Sequence, residues 1–163
     1  MRTLKKILNA NKVVRWFLMK NNEYTKQYPE DVESLTHLKI QKLLYYAQGV
    51  HLAYTGYELF PEEILAWEHG PVIKEVYDTY KPYGNKPIEY NWEDDDSEII
   101  DLLNENVQSR NVLETVFDDF GKYSALELRN MTHNERPWKN TNLNSVIDKN
   151  IIKDFFKEEI LEE

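Results

Sequence analysis

The chain has 163 residues, of which 41% are hydrophobic and 30% charged, with a formal net charge of −9 and no cysteine. That length supports one good core and is short for two comfortable domains, so a single compact soluble domain over residues 1–163 is expected. The missing cysteines exclude disulfides, thiol nucleophiles and thiolate metal sites and fit a reducing cytoplasm, while the acidic balance repels phosphate backbones at long range.

The charge is uneven. Residues 1–50 carry nine Lys/Arg against four Asp/Glu, a balance of +5, and residues 51–163 carry eleven against twenty-five, a balance of −14. The early cations are scattered rather than bunched, which suits solvated helix faces better than a nucleic-acid groove. Asn9, Asn11 and Lys12 interrupt the basic start before an apolar stretch reaches signal-peptide length, and no run approaches the 18 or more residues of a membrane span. Export and membrane anchoring are therefore not expected.

In chain order, the first predicted helix runs from about Asn9 to Asn21, with Ala10, Val13, Val14, Phe17 and Leu18 inward and Asn9 or Asn11 as cap. A polar link, Asn22 to Ser34, follows. Thr36 then caps "HLKIQKLLYYAQGVHLAY", which is apolar nearly all round and so belongs at the centre, and Gly56 ends it. "YELFPEEILAW" crosses back, with a short β-hairpin arm expected before Gly70-Pro71. That dipeptide reads as a forced corner, with Pro71 at the first helical position and Val72, Ile73, Val76, Tyr77 and Tyr80 as one stripe.

Lys81-Pro82-Tyr83-Gly84 stops this third helix. Ile88, Tyr90 and Trp92 alternate like a half-buried extended piece, and Asp94, Asp95, Asp96 and Ser97 complement the dipole of a following helix. Three consecutive aspartates cannot converge on one ion without help from elsewhere. The next helix turns Val112, Leu113, Val116, Phe117 and Phe120 inward and stops at Gly121. In "YSALEL", Ser124 and Glu127 form a capping box, with Tyr123 and Leu128 as its staple. Pro137 closes the helical segment ending in "MTHNERPW", and an amphipathic tail runs from Asp148 to Leu161. The expected fold is mainly α: about six helices around a central buried helix, with no internal repeat or linker.

No constellation indicates catalysis. His37, His51, His69 and His133 include no i, i+4 pair, and a metal hydrolase would have to assemble His69, His133 and a carboxylate such as Glu68 or Glu135 across the fold. Phosphate-binding glycine loops and strand-turn-helix serine motifs are absent. No enzyme, metal or cofactor is expected.

Three segments resemble the Panacea antitoxin domain family, found in phage-associated proteins and in Soc-type antitoxins. They are "LKIQKLLYYAQGVHLAYTG" (Leu38 to Gly56), "AWEHGPVIKEVYDTYKPYG" (Ala66 to Gly84) and "YSALELRNMTHNERPW" (Tyr123 to Trp138). Val50 stands where the family usually has tryptophan after Gln-Gly, and Ile73-Lys74 replaces the common Val-Pro. The resemblance implies a mainly helical protein that binds and neutralises a cognate protein toxin. It also leaves open an adaptor that delivers the toxin to a protease, and the basic N-terminal third leaves open a nucleic-acid-binding phage accessory or regulator. Tyrosine and tryptophan lead the residues found at binding hot spots. The expected partner-binding residues are Lys42, Tyr46, Gln48, Trp67, His69, Tyr77, His133 and Trp138, with Gly70 and Pro71 as the structural corner. Core packing is the competing expectation for the same aromatics.

Overall fold

A computed structural model describes residues 8–30 and 35–161. The basic residues Arg2, Lys5 and Lys6 and the end of the polar link at 31–34 lie outside the described residues. Helix α1, Ala10–Gln27, begins at Asn9, whose side-chain oxygen accepts from the Lys12 amide at 2.8 Å. It runs six residues beyond the expected end at Asn21. Its extension is held from the side: Tyr24 lies edge-on to Phe117, 5.9 Å between centroids, and Lys20 pairs with Glu114 at 2.8 Å.

Helix α2, His37–Thr55, is capped by Thr36 and ends at Gly56, whose φ of 84° is the left-handed value that glycine accepts without a Cβ clash. Every residue from Lys39 to Leu52 is buried, so the helix lacks a solvent face along most of its length. It packs on α1 and on six later elements: strand β2 (Gly70–Val72), helices α3 (Lys74–Tyr80), α5 (Val107–Phe120), α6 (Ala125–His133) and α8 (Lys149–Phe155), and the wider helical turn Phe156–Ile160 that continues α8. The remaining α-helices are α4, Asp95–Asn104, and α7, Arg136–Lys139. Among the described residues there are thus eight α-helices rather than about six. Pro137 opens α7 instead of closing a helix, because a proline in the first turn lacks only an amide that had no intrahelical partner.

The hairpin differs most from expectation. Strand β1, Leu65–Trp67, pairs antiparallel with β2, in the register Leu65↔Val72, Ala66↔Pro71, Trp67↔Gly70. Gly70-Pro71 is therefore inside the hairpin, not after it, and α3 begins at Lys74. Proline's fixed φ fits an edge strand as well as a helix start, and the pairing with Ala66 decides for the strand. The Ile73 amide is received by the Gln41 side chain at 2.8 Å, a long-range cap from α2. The other edge of β1 is covered by the segment 144–147: Ala66 donates to Ser145, Asn144 to Ala66, and Ile147 to Ile64.

Gln48 repeats the role of Gln41 seven residues on, accepting from the Leu59 amide at 2.7 Å and donating to the Phe60 carbonyl at 2.8 Å. The two amide side chains, two turns apart on a buried helix, thus pin two otherwise irregular backbone segments. The expected capping box is present, with Glu127 N to Ser124 Oγ at 3.1 Å and Ser124 N to Glu127 Oε1 at 2.8 Å. Among the described residues no helix is long and apolar enough to cross a membrane.

Candidate functional site

The motif segments meet at two places: the first and third at a closed one, and all three at an open one. The closed place is a carboxylate held by tyrosines. Tyr45 and Tyr46, both fully buried, donate to the two oxygens of Glu135 at 3.0 and 2.7 Å, and Tyr46 stacks on Phe120 with centroids 4.1 Å apart. Burial pushes the Glu135 carboxyl up to about 7, against the lowering effect of the two tyrosine hydroxyls. The folded chain thus holds a proton that the unfolded chain releases near 4.5. The stability from that protonation is complete below about 4.5 and is lost as pH rises through about 7. Glu135→Gln, which cannot titrate, is expected to gain on the wild type across that window, with a slope approaching about 1.4 kcal/mol per pH unit. Denaturant titrations at pH 5, 6, 7 and 8 check this; parallel stability curves for the two proteins would contradict it.

The open place is a cleft of about 800 Å³ between the start of α2, the hairpin, α3 and the start of α6. Trp67, Tyr77, Leu38, Val72 and Leu126 give it apolar walls. Its polar groups come from His37, Lys42, Glu68, His69 and Arg129, among others. Trp67 and Tyr77 meet edge to face at 5.1 Å, and His37 lies 5.1 Å from the Tyr77 ring. Trp67 is half-buried and His69 exposed, so the hairpin tip presents both at the rim.

The hairpin tip is clamped from behind by the third motif. Trp138 Nε1 donates to the Trp67 carbonyl at 2.8 Å, and His133 Nε2 lies 3.0 Å from the Glu68 carbonyl, a contact that requires the proton on that nitrogen. The His133 and Trp138 rings also pack together at 4.0 Å. His69 and His133 therefore do not converge with a carboxylate on one point, and no group of three metal-ligating side chains occurs among the described residues.

Gly70 makes the tight approach between hairpin and α2 sterically feasible. Its φ is 112°, a region that L side chains rarely adopt, and a Cβ there would sit 2.7 Å from Lys42 Cε and 3.0 Å from Thr132 Oγ1. Gly70 thus lies tight against both α2 and α6, directly after His69 on the hairpin.

Of the residues singled out by sequence, Trp67, His69, Tyr77 and Lys42 line the cleft. His133 and Trp138 support its hairpin wall from behind. Tyr46 and Gln48 are fully buried and hold the core, and neither lines the cleft. Sequence reasoning missed His37, Gln41 and Arg129. Gln41 lies inside the first motif and Arg129 inside the third, five residues after the capping serine, and motif membership was the signal available for both.

No curated protein and no solved structure matches the chain. The family model described as "Antitoxin SocA-like, Panacea domain" matches residues 40–139, well over half of the 163. Both the buried tyrosine–carboxylate site and most of the cleft lining fall within that match, and the chain belongs to the SocA-like, Panacea-domain antitoxin family.

Proposed function

We propose that this protein is the antitoxin of a toxin–antitoxin pair and neutralises a cognate protein toxin by direct binding at the cleft. The observation that carries the reading is the convergence of all three motif segments on one open, aromatic-walled concavity instead of on the core alone. Such surfaces suit protein recognition, because tryptophan and tyrosine supply large contact area at low entropic cost. A backbone clamped by Trp138 and His133 is also preorganised, which reduces the ordering cost of association. The reading assigns no reaction, cofactor or metal to the chain.

Co-expression with the protein encoded by the adjoining gene tests this. Growth should be restored by the wild type, with the toxin still present and captured by a tagged antitoxin. Trp67→Ala, which removes one half-buried cleft wall, should fold and rescue at least tenfold less well in plating efficiency. Rescue accompanied by loss of the toxin, reversed in a protease-deficient host, would identify a proteolytic adaptor instead. Specific binding to promoter DNA without any effect on a toxin would favour a regulator.

A further inference from the structure

Among the described residues, the cations that line the cleft have no carboxylate paired with them. Lys42 is fully buried, and its ammonium has one hydrogen bond among the described residues, to the Pro71 carbonyl at 3.3 Å. The Arg129 Nε is buried without a hydrogen-bond partner, and no ion pair to either residue occurs among the described residues. His37 and His69 also line the cleft, and Glu68, at the exposed tip, is the single acid among the described lining residues.

A buried cation normally has a carboxylate partner, since isolated charge in a low-dielectric site is costly. Among the described residues no acid is placed at that depth, although Arg15 is paired with the buried Asp96 elsewhere. Burial, and then Arg129, push the Lys42 ammonium down to about 7; a bound anion would restore its charged form.

We propose that the cleft receives a carboxylate carried on an apolar segment of the partner protein, with Lys42 and Arg129 as its two cationic contacts. The source of that carboxylate, though not the anion site itself, rests on the antitoxin reading. The walls select this class of ligand. A carboxylate offers two acceptor oxygens to two donors, and Trp67, Tyr77, Val72 and Leu126 then cover the chain that carries it. A phosphate would leave oxygens against apolar surface, and a polyanion would have to approach a molecule of net charge −9. The volume of about 800 Å³ accommodates a few side chains, far more than a lone ion needs.

The test uses the intact chain and two small probes, 3-phenylpropionate and its uncharged analogue 3-phenylpropanamide, followed by NMR at the Trp67 indole and the Ala125 and Leu126 amides. The acid should produce saturable shifts there in the millimolar range, and the amide should bind at least tenfold more weakly. Lys42→Met and Arg129→Gln should each weaken the acid at least tenfold and leave the amide unchanged. Arg129→Gln carries the test alone if Lys42→Met fails to fold, because Arg129 is only half-buried. Equal binding of acid and amide, shifts away from the cleft, or tighter binding of inorganic phosphate than of the acid would each overturn the proposal. In the second arm, affinity for the adjoining-gene toxin should fall at least tenfold in Arg129→Gln. Unchanged toxin affinity in a variant that has lost the acid would overturn the assignment to the partner. A chain that binds the acid at these residues but no adjoining-gene protein would leave the anion site established and overturn the antitoxin reading and its proposed source of carboxylate.

Discussion

Gly49→Val is expected to lower the stability of the protein by about 3 kcal/mol, the upper end of the usual cost of overfilling a packed core. A Cβ on Gly49 would land inside van der Waals contact of the Phe156 ring. That ring is fully buried against Tyr45 and Tyr46, with centroids 5.4 and 5.8 Å away, so it cannot swing aside. Mid-helix glycine normally costs about 1 kcal/mol relative to alanine, so its presence in α2 means that close approach of the C-terminal helix outweighs propensity. For a chain of this length 3 kcal/mol corresponds to a drop of about 6–12 °C in Tm. Scanning calorimetry of Gly49→Val, and of Gly49→Ala with and without Phe156→Leu, checks the cause. The smaller ring-site residue should recover part of the loss, and strictly additive effects would show that the two positions do not collide.

Asp96→Ala is expected to cost about 3–5 kcal/mol, the range for removing one partner of a buried ion pair. The carboxylate is fully buried and accepts from Arg15 Nε at 3.0 Å, Arg15 Nη2 at 2.7 Å, the Tyr90 hydroxyl at 2.9 Å and the Glu93 amide at 3.0 Å. It fastens the loop before α4 to α1, which no apolar contact of the exposed Trp92 could do. Burial pushes the Asp96 carboxyl up, but the bonds from Arg15, the Glu93 amide and Tyr90 outweigh it and hold it below its usual value. A depressed folded value contributes stability above the unfolded value of about 3.9 and loses it as pH falls through the folded one. Urea unfolding at pH 7 should therefore show the full loss, and the gap between Asp96→Ala and wild type should narrow below about pH 4. A loss under 1 kcal/mol at pH 7 would contradict the pairing.

What the sequence showed and what it hid divide along the range of the interactions. Gly56, the Ser124–Glu127 box and the all-round burial of α2 were legible because cap chemistry and apolar periodicity act within one helix. Asp96 was read as a dipole complement because its partner Arg15 lies 81 residues earlier, and no local pattern signals such a pair. Pro71 was placed in a helix because its φ suits both outcomes, and only pairing with Ala66 separates them. The candidate site was half legible. Its aromatics stand in recognisable motifs, but the difference between Tyr46, which bonds Glu135 in the core, and Trp67, which faces the cleft, is set by tertiary packing. Arg129 was missed for the same reason: only the fold brings it to the cleft that Lys42 lines.

The most direct test of the cleft as the binding surface is amide hydrogen exchange of the purified chain, alone and saturated with the adjoining-gene toxin. Exposed rim amides at residues 68–69, 84–85 and 125–126, which line the cleft, should exchange at least tenfold more slowly in the complex. Protection confined to another surface, such as the acidic stretch 93–105, with those rim amides unchanged, would contradict it.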